Sequence, residues 1–230
     1  TMRSFVIYLP ISKCPHVNWR LARATSSLVG GKAPDATRQE VVRTVAALRV
    51  AGRRAGELAA TYSRLPGGPA AAVGVVDRDG WARFASTLAE HAITRLPFPE
   101  RREGVVRRAA AVAHGLVAGG ALGVVGRGLL GQYDMYGDRL VLVAPTLLQM
   151  QRARGFEAND FYLWVAVHEQ THAVQFHSAP WLMSYVETLA VELAADDPGP
   201  VERVAAVTER GVMGLLVTSE GQAKLERLTA

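Results

Sequence analysis

Hydrophobic and polar residues alternate along this chain mainly with the period of an amphipathic helix. In the stretch 37–65, Val41, Val45 and Leu48 recur every three or four residues with arginine and glutamate between them, which predicts a long helix. Short apolar runs bounded by turn residues predict strands. The expected elements are helices over 18–29, 37–65, 81–96, 101–130, 146–154, 160–176 and 182–193, and strands over 72–76 and 139–144.

The helix predicted over 160–176 is apolar on nearly all sides, which indicates that it runs through the interior. Asn159 and Asp160 are both strong capping residues, so we expect the helix to begin there. Two histidines and a glutamate lie half-way along it. Such side chains are costly to bury unless something satisfies them, and a bound metal would do so.

These three residues have the spacing His168-Glu169-x-x-His172. Residues four apart lie on one helix face, so the two imidazoles can offer nitrogens to one Zn²⁺. Glu169 is rotated about 100° from His168. Its carboxylate can therefore lie beside the open position of the metal and accept the proton of a water whose pKa the zinc lowers. The alternative is that both histidines are hydrogen-bonded core residues and that the pattern arose by chance.

The composition indicates a globular protein. The 230 residues suit one domain, with or without a helical extension, and 49% of them are apolar against 20% charged. The net charge of +5 comes from scattered arginines such as Arg53-Arg54, without the aromatic-interleaved basic stripe of a nucleic-acid site. We therefore expect a solvated basic surface and no nucleic-acid partner.

The cysteine content and the N-terminal residues predict the compartment. A single cysteine, Cys14, cannot form an internal disulfide and is compatible with a reducing compartment. Residues 1–12 lack the basic segment, long apolar core and cleavage site of a secretory signal, and Thr1 ahead of Met2 is expected to be a cloning remnant. We expect a cytoplasmic protein.

Two glycine-containing stretches each allow two structural interpretations. Residues 109–126 contain no formally charged side chain and reach the lower length limit of a membrane span. We interpret them as a buried helix of a soluble protein, with no integral span. Residues 126–131 match the dinucleotide-binding pattern Gly-x-Gly-x-x-Gly, but a predicted helix precedes them where that pattern requires a strand. We interpret them as a loop.

Several segments resemble one protein family. They are Leu-Gly-Gln-Tyr-Asp (130–134), Leu-Val-Ala-Pro (142–145), Leu-Trp-Val (163–165), His-Glu-x-x-His-Ala-Val-Gln-Phe (168–176) and Pro-Trp-Leu (180–182). Through them the chain resembles the actinobacterial zincin-like hydrolases associated with biosynthesis of the deazaflavin coenzyme, over most of its length. The resemblance implies a zincin-type metallopeptidase fold, α+β and predominantly α, but no substrate.

This resemblance also implies the organisation of the chain. We expect one domain over residues 1–230, with a helical N-terminal part over 1–100 and a core over 101–230 that holds the His-Glu-x-x-His helix. A strand followed by the metal helix is the zincin layout, in which an edge strand lies over the cleft and can pair with an extended peptide. By that analogy, the strand over 139–144 is the edge strand.

A catalytic zinc ion takes three protein ligands. The motif supplies two, and the identity of the third ligand is not fixed by it. In the family, the segment that resembles residues 215–228 leads into a Leu-Leu-Glu-Gly-His motif, whose glutamate is the natural third ligand. This sequence stops at Ala230, before any such motif. The alternatives are a chain truncated there, a remainder missing from this sequence, or a different ligand.

Within the chain, the leading candidate for that ligand is Glu192. It begins a Glu-x-x-x-Asp run that resembles the pattern of thermolysin-like enzymes, whose aspartate orients a histidine ligand. The alternative is that Glu192 is a solvated charge on an amphipathic helix. Glu220, Glu187 and His177 are further options with weaker support.

The residues together predict a zinc-dependent hydrolase of peptides or proteins. His168, His172 and Glu192 would hold the zinc, and Glu169 would act as the general base. One alternative is a zincin-fold binding or scaffold protein without turnover, whose metal site is incomplete. Glu169 argues against it, because a structural metal requires no base. The other alternative is a membrane-associated protein that uses residues 109–126.

Overall fold

The structure, a computed structural model, describes residues 17–94 and 105–195. These residues form seven helices and three strands. In chain order they are α1 Trp19–Val29, α2 Arg38–Ser63, β1 Ala72–Val76, α3 Arg78–Thr94, α4 Val105–Gly128, β2 Gly131–Asp134, β3 Arg139–Val143, α5 Ala144–Arg154, α6 Ala158–Ser178 and α7 Trp181–Ala195. The predicted fold class, α+β and predominantly α, is confirmed.

The first two helices begin where the sequence supplies capping side chains. At α2, the Thr37 hydroxyl accepts a hydrogen bond from the N–H of Glu40 at 3.2 Å, and the Glu40 carboxylate accepts one from the N–H of Thr37 at 3.4 Å. This reciprocal pair is a capping box. At α1, the Asn18 side chain accepts a bond from the N–H of Leu21. Both starts lie within one residue of the predicted positions.

The three strands form one sheet in the order β1–β3–β2. β1 pairs with β3 in parallel, with Val73 opposite Leu140, and β2 pairs with β3 antiparallel, with Gly131 opposite Leu142. The strand predicted over 139–144 is therefore the central strand and not the edge strand that the zincin layout suggested. The edge that contacts α6 belongs to β2.

The interpretation of residues 126–131 as a loop was wrong. They contain the last turn of α4 and the beginning of β2, with two residues between them. β2 has only four residues and begins with a glycine, so its strand pattern is too short to stand out in the sequence. Pairing with the strongly apolar β3 holds it in place.

The alternation of side chains in β3 divides the core into two layers. Leu140 and Leu142 are fully buried against residues of α2 and α6. Val141 and Val143 point to the opposite face of the sheet, where they pack with Trp81 of α3. α6 therefore packs on one face of the sheet. The side of α6 that is turned away from the sheet faces solvent.

A buried glutamine joins α6 to α2 and to the segment before β1. Gln170 is 1% exposed. Its Oε1 accepts a hydrogen bond from the N–H of Ala70 at 2.8 Å, and its Nε2 donates to the carbonyl of Gly52 at 3.2 Å. These bonds fix the rotation of α6 about its own axis, and therefore the direction in which the neighbouring residues of the motif point.

The start of α6 also differs from the prediction. The helix begins at Ala158, and the side chain of Glu157 caps it by accepting a hydrogen bond from the N–H of Asp160 at 2.7 Å. Asn159 and Asp160, which were expected to cap the helix, lie inside its first turn. Glutamate is not among the preferred capping residues, which explains the difference.

Glycines let α4 pack closely on α1. A Cβ on Gly115 would lie 2.7 Å from the carbonyl oxygen of Asn18, and one on Gly119 would meet the carbonyl oxygen of Ala22.

Only 22% of the apolar stretch of α4 is buried, so α4 is a partly exposed helix and not the buried helix that was predicted. By length and composition alone, Arg108–Gly128 could cross a membrane, and core helices of soluble proteins meet the same criterion.

Candidate metal centre

The two motif histidines lie on successive turns of α6, with their rings close together. The centroids of His168 and His172 are 5.0 Å apart, and the ring planes are nearly perpendicular at 86°. Two imidazoles that bind one zinc ion at about 2.1 Å in tetrahedral geometry have centroids about 5 Å apart. The separation is compatible with such an ion, and it is also an ordinary distance between rings four residues apart on a helix.

Glu169 points from α6 toward the edge strand β2. A Cβ on Gly131 would lie 3.0 Å from the Cγ of Glu169, so the missing side chain of this glycine leaves the room that the glutamate occupies. Burial raises the pKa of the Glu169 carboxyl, while His168, His172 and the backbone N–H of Tyr133 act in the opposite direction. A half-buried carboxylate with a raised pKa beside two imidazoles has the properties of a general base.

One face of α6 is open to solvent, contrary to the prediction that the helix runs through the interior. Trp164 is 65% exposed, and His168 lies next to it on the same face. The histidine pair thus lies at the boundary between this exposed face and the sheet, with His168 exposed and His172 half-buried. The cost of burying the histidines therefore gives no argument for a metal.

The structure places His177 away from this pair. It follows His172 by five residues, which rotates it by about 140° around the helix. Its Nδ1 donates a hydrogen bond to the carbonyl of Gly68 at 2.8 Å, and its Nε2 lies 3.1 Å from an Asp138 carboxylate oxygen. His177 therefore connects the end of α6 to two loops, and it is not a ligand of the same metal ion.

The remaining candidates for the third ligand lie on α7 or beyond it. Glu187 accepts a hydrogen bond from the Tyr136 hydroxyl at 2.9 Å. Glu192 belongs to α7, but its side chain lies outside the described part of the chain, as does all of Glu220. Within the described residues, no group of three histidine, cysteine, aspartate or glutamate side chains could hold a metal. The role of Glu192 therefore stays a prediction.

Two neighbours of the histidine pair were not among the predicted site residues. The Nδ1 of His172 lies 3.1 Å from the Oε1 of Gln175, and the indole of Trp164 stacks with the His168 ring at a centroid distance of 6.3 Å and an angle of 24°. Each neighbour lies three or four residues from its histidine. Side chains at these spacings meet on a helix, so the sequence contained the signal that identifies both.

The chain is similar to known proteins in its sequence and in its fold. A family described as zincin-like metallopeptidase matches residues 17–230. A crystal structure from Chloroflexus aurantiacus, described as "a putative hydrolase with a novel fold", is similar with a TM-score of 0.58 and 24% sequence identity. The match covers 84% of this chain and 64% of the other, so this chain spans less than two thirds of that protein, and the likeness shows the fold alone. A comparison with curated proteins finds no match.

Proposed function

This chain belongs to the zincin-like metallopeptidase family, and we propose that it is a zinc-dependent hydrolase that cleaves peptide bonds. One observation carries the proposal: a half-buried glutamate lies beside two histidines whose rings meet on one face of α6, which is the combination that zinc peptidases use. A protein that only binds a structural metal has no need of that glutamate. The presence of Glu169 therefore supports turnover over a scaffold role.

The residues of the motif divide the chemistry between them. Zinc, when bound, would polarise the scissile carbonyl and lower the pKa of water. His168 and His172 would hold the ion through neutral imidazole nitrogens. Glu169 would remove a proton from the attacking water and pass it to the leaving nitrogen of the peptide. In the metal-free chain, burial raises the pKa of the Glu169 carboxyl.

A third protein ligand completes such a site, and we propose Glu192 for this role. Glu192 is one of two glutamates on α7, and the other, Glu187, accepts a hydrogen bond from the Tyr136 hydroxyl. The sequence supports the choice through its resemblance to the Glu-x-x-x-Asp pattern described above.

A peptide as the substrate follows from the metallopeptidase family, and the edge of β2 lies beside the proposed general base. The N–H of Val143 donates to the carbonyl of Leu130, and the antiparallel register then directs the backbone groups of Gly131 and Tyr133 away from β3. β2 is an edge strand of the sheet that the described residues form, and this edge passes Glu169. Tyr133 and Asp134 of β2 are buried, and the N–H of Tyr133 already faces the Glu169 carboxylate, so the backbone of this edge contacts the general base directly. A cytoplasmic location and the link to deazaflavin-coenzyme biosynthesis stay predictions of the sequence.

A peptide-library assay tests the proposed function. The chain, supplied with zinc, is incubated with a mixture of unstructured peptides, and new termini are identified by mass spectrometry. We expect cleavage that stops when a chelator removes the metal and returns when zinc is added back. Cleavage that persists in the chelator, or a library that remains intact with zinc present, would contradict the proposal.

A further inference from the structure

We propose that Gln175 is a positioning residue that holds His172 in the tautomer required for metal binding. The inference rests on the proposed zinc site. Gln175 lies outside the His-Glu-x-x-His motif. Its side chain is exposed, and it neither binds the metal nor takes part in the reaction itself.

The tautomer follows from the hydrogen-bonding chemistry of the two groups. The Nδ1 of His172 lies 3.1 Å from the Oε1 of Gln175. In this orientation of the amide, its oxygen accepts a hydrogen bond and cannot donate one, so Nδ1 carries the proton. A neutral imidazole has only one N–H. The Nε2 of His172 therefore keeps its lone pair, which is the electron pair that a metal ion binds.

This contact is local to one histidine. Gln175 lies three residues after His172, at a spacing where side chains of a helix meet. The other histidine has a different neighbour, because the indole of Trp164 stacks on the ring of His168. Removal of the Gln175 amide should consequently affect His172 alone. Histidines that bind metals commonly donate their second N–H to an oxygen, which fixes the ring and increases its basicity.

Two substitutions of this glutamine separate its hydrogen bond from its size. Gln175→Leu keeps the volume and removes the acceptor, whereas Gln175→Glu keeps an acceptor oxygen on a side chain of the same length. Gln39→Leu, at an exposed glutamine of α2, is the matched control. Long-range ¹H–¹⁵N NMR of the zinc-free chain reports the tautomer of His172, whose signals are identified by their loss in His172→Ala. Competition with a chromophoric chelator gives the zinc affinity.

We expect the Nδ1–H tautomer in the wild type, in Gln175→Glu and in Gln39→Leu. Gln175→Leu should show a mixture that includes the Nε2–H tautomer, and its zinc affinity should fall about 10- to 100-fold. Gln175→Glu should bind zinc at least as tightly as the wild type. Because Gln175 is exposed, thermal unfolding should change little in any variant, which excludes a loss of affinity through misfolding.

The result for Gln175→Leu tests the positioning role, and the zinc binding of the wild type tests the proposed function. A wild-type tautomer or a wild-type zinc affinity in Gln175→Leu would overturn the positioning role and leave the proposed hydrolase intact. A wild-type chain that binds no zinc would contradict the proposed function. The NMR spectra of the zinc-free chain would still show whether Gln175 selects the tautomer of His172.

Discussion

Glu169→Gln is expected to lower kcat for peptide hydrolysis about 10²- to 10⁴-fold while the zinc content stays unchanged. The amide has nearly the shape of the carboxylate and fits the same space between α6 and Gly131. It cannot take up a proton, however, so the attacking water loses its base. The two histidines are not altered, which is why the metal should remain.

The measurement compares kcat and bound zinc for wild type, Glu169→Gln and a control. Glu57→Gln serves as the control because Glu57 is an exposed glutamate on α2, outside the site. We expect the control to cleave the peptide identified in the library at the wild-type rate. If Glu169→Gln retained its zinc and hydrolysed that peptide within a few-fold of wild type, the assignment of the general base would be wrong.

Gln170→Leu should lower the free energy of unfolding by about 2–4 kcal/mol, the largest stability effect that we expect from a single polar residue in the described part of the chain. Leucine has a similar volume, so no large cavity forms. The N–H of Ala70 would lose the acceptor it has in the interior, and the bond to the carbonyl of Gly52 would also be lost. A buried donor without a partner carries the full cost of its desolvation.

Urea unfolding of the metal-free chain measures this effect without a contribution from zinc binding. The adjacent Thr171→Ala is the control, because the Thr171 hydroxyl only bonds back to the carbonyl of Val167 within α6. Its loss should change stability by no more than about 0.5 kcal/mol. An equally small change for Gln170→Leu would show that the Gln170 hydrogen bonds do not hold α6 against α2.

The sequence alone predicted the helices and strands whose hydrophobic pattern is long or strongly apolar. β1 has the predicted bounds, and β3 ends one residue before its predicted end. α2 was found because apolar residues such as Val41, Val45 and Leu48 recur at helical spacing with charged residues between them. The meeting of His168 and His172 follows from helix pitch alone, so it required no knowledge of the tertiary structure.

The features that the sequence did not provide depend on contacts between distant segments. β2 exists because it pairs with β3, and its four residues have too few apolar positions to predict a strand. The exposed face of α6 was missed because Trp164 is apolar, and its exposure depends on what packs elsewhere on the helix. The room for Glu169 is equally non-local, since it arises where Gly131 lacks a side chain.

The central claim is that His168 and His172 hold a zinc ion, and the metal content of the purified chain tests it most directly. Elemental mass spectrometry is applied to the chain prepared without added zinc, together with His168→Ala, Glu192→Ala and His177→Ala. We predict about one zinc per chain in the wild type and in His177→Ala, whose ring bonds Gly68 instead. His168→Ala should contain none, and Glu192→Ala should lose the ion as the third ligand is removed. A wild-type chain without zinc, or a His168→Ala variant that keeps it, would contradict the account.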